Sequence, residues 1–299
     1  MALEAGPGRP RRTGPPEVRV LTSEDVPLLR LGWHNRLDAH EAQRLVTSYP
    51  GRSVWIPDSR EFALVGPWRH RDEVAAIQEL SAIRRVDAMM QAVVSNCRDA
   101  GAAVVLMTEL TERRRPAFYE RIGFQLLEEV ITYELELPFD HPIAAAPLTF
   151  VPVHTPDEAG MAELLRLDQA AFPWLWWNSD LEFRAYASTP GVELYLGLLD
   201  GRPISYVGTT SYAGWGHLDR IAVDPAVQGS GWGKRSLAFA MSLLAARGAR
   251  RIGLSTQRDN LRSQRLYEGV GFRRSRGNNY RLYGVVLRQP EPGNLDATA

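Results

Sequence analysis

The chain has 299 residues, 44% of them hydrophobic, which is nearer the size of two ordinary domains than of one. Its 35 basic and 35 acidic residues cancel, so no basic field gathers nucleic acid and a nucleic-acid partner is disfavoured. The single cysteine, Cys97, cannot form an internal disulfide, the six histidines show no metal-ligand spacing, and no apolar run reaches membrane-spanning length. These features point to a reducing cytoplasm, with no metal and no membrane.

In chain order, residues 1–16 have arginines and prolines but no apolar stretch of leader length, and read as a disordered tail, as do residues 290–299. Within the first half, VVLMTELTERRRPAFYERIGF ends at Phe124; in the second, IGLSTQRDNLRSQRLYEGVGF ends at Phe272. Leu106, Thr108, Tyr119, Glu120, Gly123 and Phe124 recur 148 positions later as Leu254, Thr256, Tyr267, Glu268, Gly271 and Phe272. One offset shared by six residue types implies a duplicated domain, with halves at 17–139 and 148–289 and a proline-rich linker at 140–147.

The second half opens with a strand at 148–153, a helix over PDEAGMAELLRLDQAAF, and a second helix capped by Asn178 or Ser179, where Ser179 and Glu182 form an S-x-x-E box. VELYLGLLDGRPISYVGTT reads as a hairpin turning at Asp200-Gly201, and HLDRIAVDP as the next strand. Leu237, Ala240, Met241 and Leu244 recur at helical spacing, so SLAFAMSLLAARG is an amphipathic helix ended by Gly248. A strand RRIGLST, a short helix from about 260 to 270 and a final pair of strands complete a mixed α/β arrangement.

Between the HLDRIAVDP strand and the amphipathic helix lies QGSGWGKRS, with three glycines in five positions and the chain's only lysine, Lys234. A P-loop fails here, because Gln228 stands where its first glycine belongs and Arg235 where its magnesium-binding hydroxyl belongs. A dinucleotide fingerprint fails as well, its third glycine falling on Lys234. What remains is Q-x-x-G-x-G, formed by Gln228, Gly231 and Gly233. With the preceding IAVDP and with N-x-x-S-x-x-L-Y-x-x-x-G-F from Asn260 to Phe272, the stretch from about 148 to 287 resembles the GNAT superfamily of acyl-CoA-dependent N-acyltransferases.

The resemblance implies tandem GNAT folds, each a mixed, mostly antiparallel sheet flanked by helices. It also implies acetyl-CoA as co-substrate. Glycines let backbone approach a diphosphate, and free amides at a helix start form an anion site that needs no metal. Gln228, Gly229, Ser230, Gly231, Trp232, Gly233 and Lys234 are therefore expected to hold the pyrophosphate of coenzyme A. Ile221, Ala222 and Val223 match the strand that meets the pantetheine arm, and Asn260 and Ser263 match positions beside it; Asn260 serves equally as a helix cap.

Tyr267 matches the family's general acid, since a phenol stays protonated at neutral pH and can give its proton to a departing thiolate. Strict alternation places His217, Asp219, Ile221 and Val223 on one face, and Asp219 is favoured as the base, with an arginine salt bridge as its structural alternative. Trp174, Trp176 and Trp177 form an expected wall for an apolar or cationic acceptor, or else pack helix to sheet. In the first half the glycine loop falls on LSAIRRV, residues 80–86, which has no glycine, so that half is expected to be a degenerate copy.

The expected activity is transfer of an acetyl group to a primary amine of a small molecule or peptide, by direct attack in a ternary complex within a monomer or homodimer. The alternative is a non-catalytic acyl-CoA sensor or scaffold.

Overall fold

The structure, a computed structural model, describes residues 17–32, 35–109, 114–136, 147–275 and 277–289. Both expected tails, and the expected linker except for residue 147, lie outside the described residues. The elements in order are β1 (Arg19–Val20), α1 (Ala39–Ser48), β2 (Val54–Ile56), β3 (Glu61–Trp68), β4 (Arg71–Ser81), α2 (Val86–Asp99), β5 (Val104–Glu109), α3 (Pro116–Arg121) and β6 (Gln125–Glu136). They continue with β7 (Thr149–Val153), α4 (Glu158–Ala171), α5 (Asp180–Ala187), β8 (Val192–Leu199), β9 (Arg202–Tyr212), β10 (Trp215–Val223), α6 (Trp232–Ala246), β11 (Arg251–Gln257), α7 (Leu261–Glu268), β12 (Arg273–Arg274) and β13 (Tyr280–Val286).

By compactness the chain forms two units, one of Met1–Gly66 with Gln78–Asn96, the other of Pro67–Ile77 with Cys97–Ala299. In the first, β2 pairs antiparallel with β1 and β3. Its core joins Leu21, Val26, Ala42, Val46, Trp55, Phe62 and Leu64. Helix α1 starts at a reciprocal capping box between Asp38 and Glu41, which satisfies two amides that a helix start leaves open.

In the second unit the strand order is β4, β5, β13, β6, β11, β10, β9, β8, β7, and β12 pairs off this path with β6. The β4–β5 and β10–β11 pairs are parallel, and the other pairs within this unit are antiparallel. The mixed, mostly antiparallel sheet flanked by helices is the fold class expected from the sequence.

Local chemistry explains the boundaries. The β8–β9 hairpin turns at Asp200 and Gly201 with φ of 50° and 80°, the left-handed pair that a tight hairpin requires. Helix α6 stops where Gly248 takes φ 83° and its amide and that of Ala249 return to Ala245 and Leu244. The buried side of α6 carries Leu237, Ala240, Met241 and Leu244 against Val207, Leu218, Ile252, Leu254 and Tyr267. On the other face of the sheet, Met161, Leu164 and Leu167 of α4 pack with Phe183, Tyr206 and Ala222.

The two sequence repeats take the same path, strand then helix: β5 then α3, and β11 then α7. The strand after each repeat pairs with the other repeat's strand. Strand β6 runs antiparallel to β11, with Leu254 opposite Tyr133, and β13 runs antiparallel to β5, with Leu106 opposite Gly284. The helices follow suit: Tyr119 of α3 stacks on Tyr283 of β13 at 3.6 Å between ring centroids, and Tyr267 of α7 lies 6.0 Å from Tyr133 of β6.

Candidate active site

The glycine loop follows β10 after a short 3-10 turn, Pro225–Val227, whose start is capped by Asp224 accepting from the Ala226 amide. Gly229 and Gly231 both have φ 86°, which excludes most side chains at those positions. An added Cβ at either would meet no atom within 4 Å, so the space in front of both glycines is open. Gly231 is the N-cap of the fifteen-residue α6. Its carbonyl accepts the first bond of the helix from Arg235, which leaves the amides of Trp232, Gly233 and Lys234 ahead of the hydrogen-bonded ladder. Open amides with a helix dipole behind them attract an anion.

Gln228 is tied down: its Nε2 donates to the Val223 carbonyl at 2.9 Å and its Oε1 accepts from Arg262. Ser230 and Lys234 are exposed, and Trp232 is half-buried beneath the Arg235 guanidinium, 5.2 Å from its ring.

Strand β10 forks at this end of the sheet. Its pairing with β11 runs from Trp215 opposite Arg251 to Leu218 opposite Leu254. Beyond Leu218, Ile221, Ala222 and Val223 pair with Val207, Tyr206 and Ser205 of β9. The register with β9 shifts between Leu218 and Arg220, which makes Asp219 a bulge residue.

That bulge corrects the expected face. Ile221 packs on the α6 side, where Val223 also lies within reach of Gly233, whereas Asp219 meets Tyr186 of α5. One extra residue flips a period-2 pattern. His217 and Asp219 are therefore separated from Ile221 and Val223.

Asp219 accepts from Tyr186 at 2.5 Å and Thr210 at 2.6 Å on Oδ2, and meets His217 Nδ1 at 2.7 Å on Oδ1. Among the described residues these partners do not include an arginine. Burial, then the Asp219 charge, push the Tyr186 phenol well above its ordinary range, so it stays a donor.

Tyr267 is buried, and burial pushes its phenol up to about 12, while a hydrogen bond with Ser263 acts in the opposite direction. Ser263 is thus engaged with Tyr267, one turn away, and Asn260 caps α7 by accepting from the Ser263 amide at 3.1 Å.

Trp174 and Trp176 are buried and Trp177 is partly so. Trp176 Nε1 donates to Glu128 at 3.3 Å, Trp177 Nε1 to the Phe172 carbonyl at 2.7 Å, and Arg71 stands 4.4 Å over the Trp174 ring. Val74, Ala76 and Leu106 complete this packing. Below it lies a network absent from the sequence reading. Asp168, fully buried, accepts from Tyr206, from Arg220 and from the Asn178 amide. Breaking one partner of such a buried pair costs about 3–5 kcal/mol. Arg69 donates to Asn178 at 2.5 Å, and burial followed by the charge of Arg220 lowers its guanidinium to about 10. The only sequence signal for these partners is an arginine within an apolar strand and an aspartate on the apolar stripe of a helix.

Residues 161–272 match the family model described as Acetyltransferase (GNAT) family. Over 55 residues the chain is 40% identical to a ribosomal protein bS18-alanine N-acetyltransferase of Haemophilus ducreyi (strain 35000HP / ATCC 700724), a match covering 18% of this chain and 38% of that relative. The chain therefore spans well under half the length of this curated relative. Among solved structures, a GCN5-related N-acetyltransferase from Sphaerobacter thermophilus aligns over 95% of this chain and 98% of its own, with TM-score 0.58 at 17% identity. A tandem GNAT protein from the clavulanic acid biosynthesis pathway aligns over 92% and 99%, with TM-score 0.54 at 12% identity. At those identities the likeness is one of fold. The forked strand, the open glycine loop and α7 all lie within residues 161–272, the stretch that matches the Acetyltransferase (GNAT) family model.

Proposed function

We propose that this protein is an N-acetyltransferase that moves an acetyl group from acetyl-CoA to the primary amine of a small molecule or peptide, by direct attack in a ternary complex. The reading rests on one observation: an open cradle, with Gly229 and Gly231 at φ 86° and clear space before them, at the start of α6 directly behind a strand that parts from its neighbour. Amides so placed fit a diphosphate, and the freed edge of Ile221–Val223 fits an amide-bearing arm such as pantetheine. Tyr267, buried and protonated, is the proposed acid for the departing thiolate. The bS18-alanine relative favours testing a peptide amine among the acceptors.

We further read the chain as two GNAT copies, 17–139 and 148–289, the first without a cofactor. The shared strand-helix path of the repeats and the tyrosine in each support the duplication. At the start of α2, the loop equivalent to the glycine stretch gives the Ile83 and Arg84 amides to Glu61 Oε1, each at 2.7 Å, so they are satisfied within the chain. Among the described residues no helix is long and apolar enough to cross a membrane, and no three His, Cys, Asp or Glu side chains are grouped to hold a metal. Cys97, the chain's single cysteine, is buried, and a chain without an internal disulfide suits the cytoplasm.

Titration calorimetry with acetyl-CoA, followed by thiol release against polyamines, aminoglycosides and a peptide with N-terminal alanine, tests the reading. One site per chain and amine-dependent release are expected. Binding without release on any amine would favour a sensor, and two sites would overturn the degenerate copy.

A further inference from the structure

Asp219 is poorly placed to be the base. Both of its oxygens are engaged: Oδ2 accepts from the hydroxyls of Tyr186 and Thr210, and Oδ1 faces His217 Nδ1. Its side chain is 25% exposed, against 43% for His217. A carboxylate has only acceptors to offer, so the imidazole must donate from Nδ1, which makes Nε2 the atom with a free lone pair.

The ring's setting keeps that atom accessible. His217 lies opposite Thr210 on β9 and Gly253 on β11, one residue before the strands part at Leu218. A Cβ on Gly253 would come 3.2 Å from His217 Cδ2 and 3.8 Å from Nε2, so the glycine gives the imidazole its floor. Ser255, next along that face of β11, is exposed. The charged or titratable groups around the ring are Asp219 on its own strand, Tyr186 from α5, Arg251 on β11, which reaches over Trp215, and Glu134, which stands opposite Gly253 on β6 and pairs with Arg251. Strand β9 contributes the uncharged Thr210.

We propose that His217 is the general base of the acetyl transfer, with Asp219 as its positioning residue and Tyr186 and Thr210 fixing Asp219; this rests on the acetyltransferase reading above. As the acceptor nitrogen forms its bond to the thioester carbonyl, Nε2 removes the N–H proton. Collapse of the tetrahedral adduct breaks the C–S bond, and the sulfur takes a proton from Tyr267. The products are an amide and a free thiol, and exchange with water restores both side chains. The carboxylate keeps the imidazole in the tautomer that can accept, the arrangement that gives an oriented histidine its catalytic value.

The test uses the full chain with acetyl-CoA and the acceptor from the amine panel that gives the fastest release. His217→Ala is expected to lower kcat/KM about 100-fold or more while acetyl-CoA affinity by calorimetry stays within about twofold, and added imidazole should restore part of the rate. Asp219→Asn should lower kcat more than it raises KM and displace the acidic limb of the kcat/KM profile, which a purely structural role would leave in place. Nitrogen NMR of histidine-labelled protein should show the Nδ1–H tautomer for His217 and lose it in Asp219→Asn, a readout that needs no acceptor. An unchanged rate and pH profile in His217→Ala, or the Nε2–H tautomer in the parent protein, would overturn the assignment. If the parent protein releases thiol with none of the amines, the acetyltransferase reading itself fails, which is a different result from an active parent with an equally active variant.

Discussion

At the start of α6 the chain leaves its amides open, and in the loop just before α2 it gives two amides to its own carboxylate. Gly229 and Gly231 hold left-handed backbone with nothing in front of it, whereas the amides of Ile83 and Arg84 donate to Glu61, which is buried. Burial alone would raise the Glu61 carboxyl, but bonds from the Arg84 and Ile83 amides, the Ser59 hydroxyl and the Arg85 amide outweigh it and hold the group below its ordinary value. Grouped amides ahead of a helix seek an anion in either case. The difference lies in whether the protein supplies that anion or leaves its place open to a ligand.

The same contrast divides the repeated tyrosines. Tyr119 donates to the buried Glu109, which also accepts from Arg114, and stacks on Tyr283. Tyr267, its counterpart, has the Ser263 hydroxyl as its polar neighbour and, among the described residues, no carboxylate holding its proton. A phenol whose proton is already committed to a carboxylate is a structural element; one without that commitment can give its proton away.

The largest effect should come from breaking the open end. Gly231→Val puts a side chain on left-handed backbone and into the cradle, and is expected to weaken acetyl-CoA by about 100-fold or more in calorimetry, since two charge-assisted amide bonds are worth about 3–6 kcal/mol. Retained affinity would show that the phosphates sit elsewhere. Next, Tyr267→Phe should lower kcat about 100-fold with acetyl-CoA affinity kept, while Tyr119→Phe should leave turnover intact and cost about 1–3 kcal/mol in denaturant unfolding, because Glu109 loses a donor. Equal kinetic losses in the two variants would erase the distinction between the repeats.

The smallest effect concerns the closed end. Glu61→Gln should cost about 1–3 kcal/mol of stability at neutral pH. With its folded pKa below the unfolded one, Glu61 stabilises above the unfolded value, about 4.3, and loses that contribution as pH falls below it and through the folded value. The parent should therefore soften more steeply than the variant over that window in thermal melts followed by circular dichroism. Parallel curves would mean that Glu61 contributes no such pH-dependent stability.

Much of the second half was legible because its signals are local. The glycine loop, the turn at Asp200-Gly201, the Ser179 cap and the Gly248 stop each depend on residues within a few positions of one another. What escaped the sequence depends on distance or on a single inserted residue. Alternation gave the correct strand for β10 but the wrong face beyond Leu218, because a bulge at Asp219 leaves no mark in a polar-apolar pattern. Glu61 lies 22 residues from the Ile83 amide that it satisfies, and Asp168 lies 52 residues from Arg220, so neither partnership has a period or a motif to reveal it. The repeats were visible as residues at one offset, yet the crossing of β6 and β13 was not, since pairing partners are chosen by edges and not by sequence likeness.

That crossing has a consequence for synthesis. When β5 and α3 leave the ribosome, the strand that will cover β5 and the ring that will stack on Tyr119 have yet to be made, because both come from residues 280–286, far downstream in the sequence. The first repeat must keep an unsatisfied sheet edge until residues 280–286 have been made, a long-range closure of the kind that folds slowly and exposes strands to stray pairing. Strand β11 instead finds β6 already waiting when it emerges. The nascent protein thus completes its candidate catalytic repeat first, and the repeat that was made first is the last to be sealed.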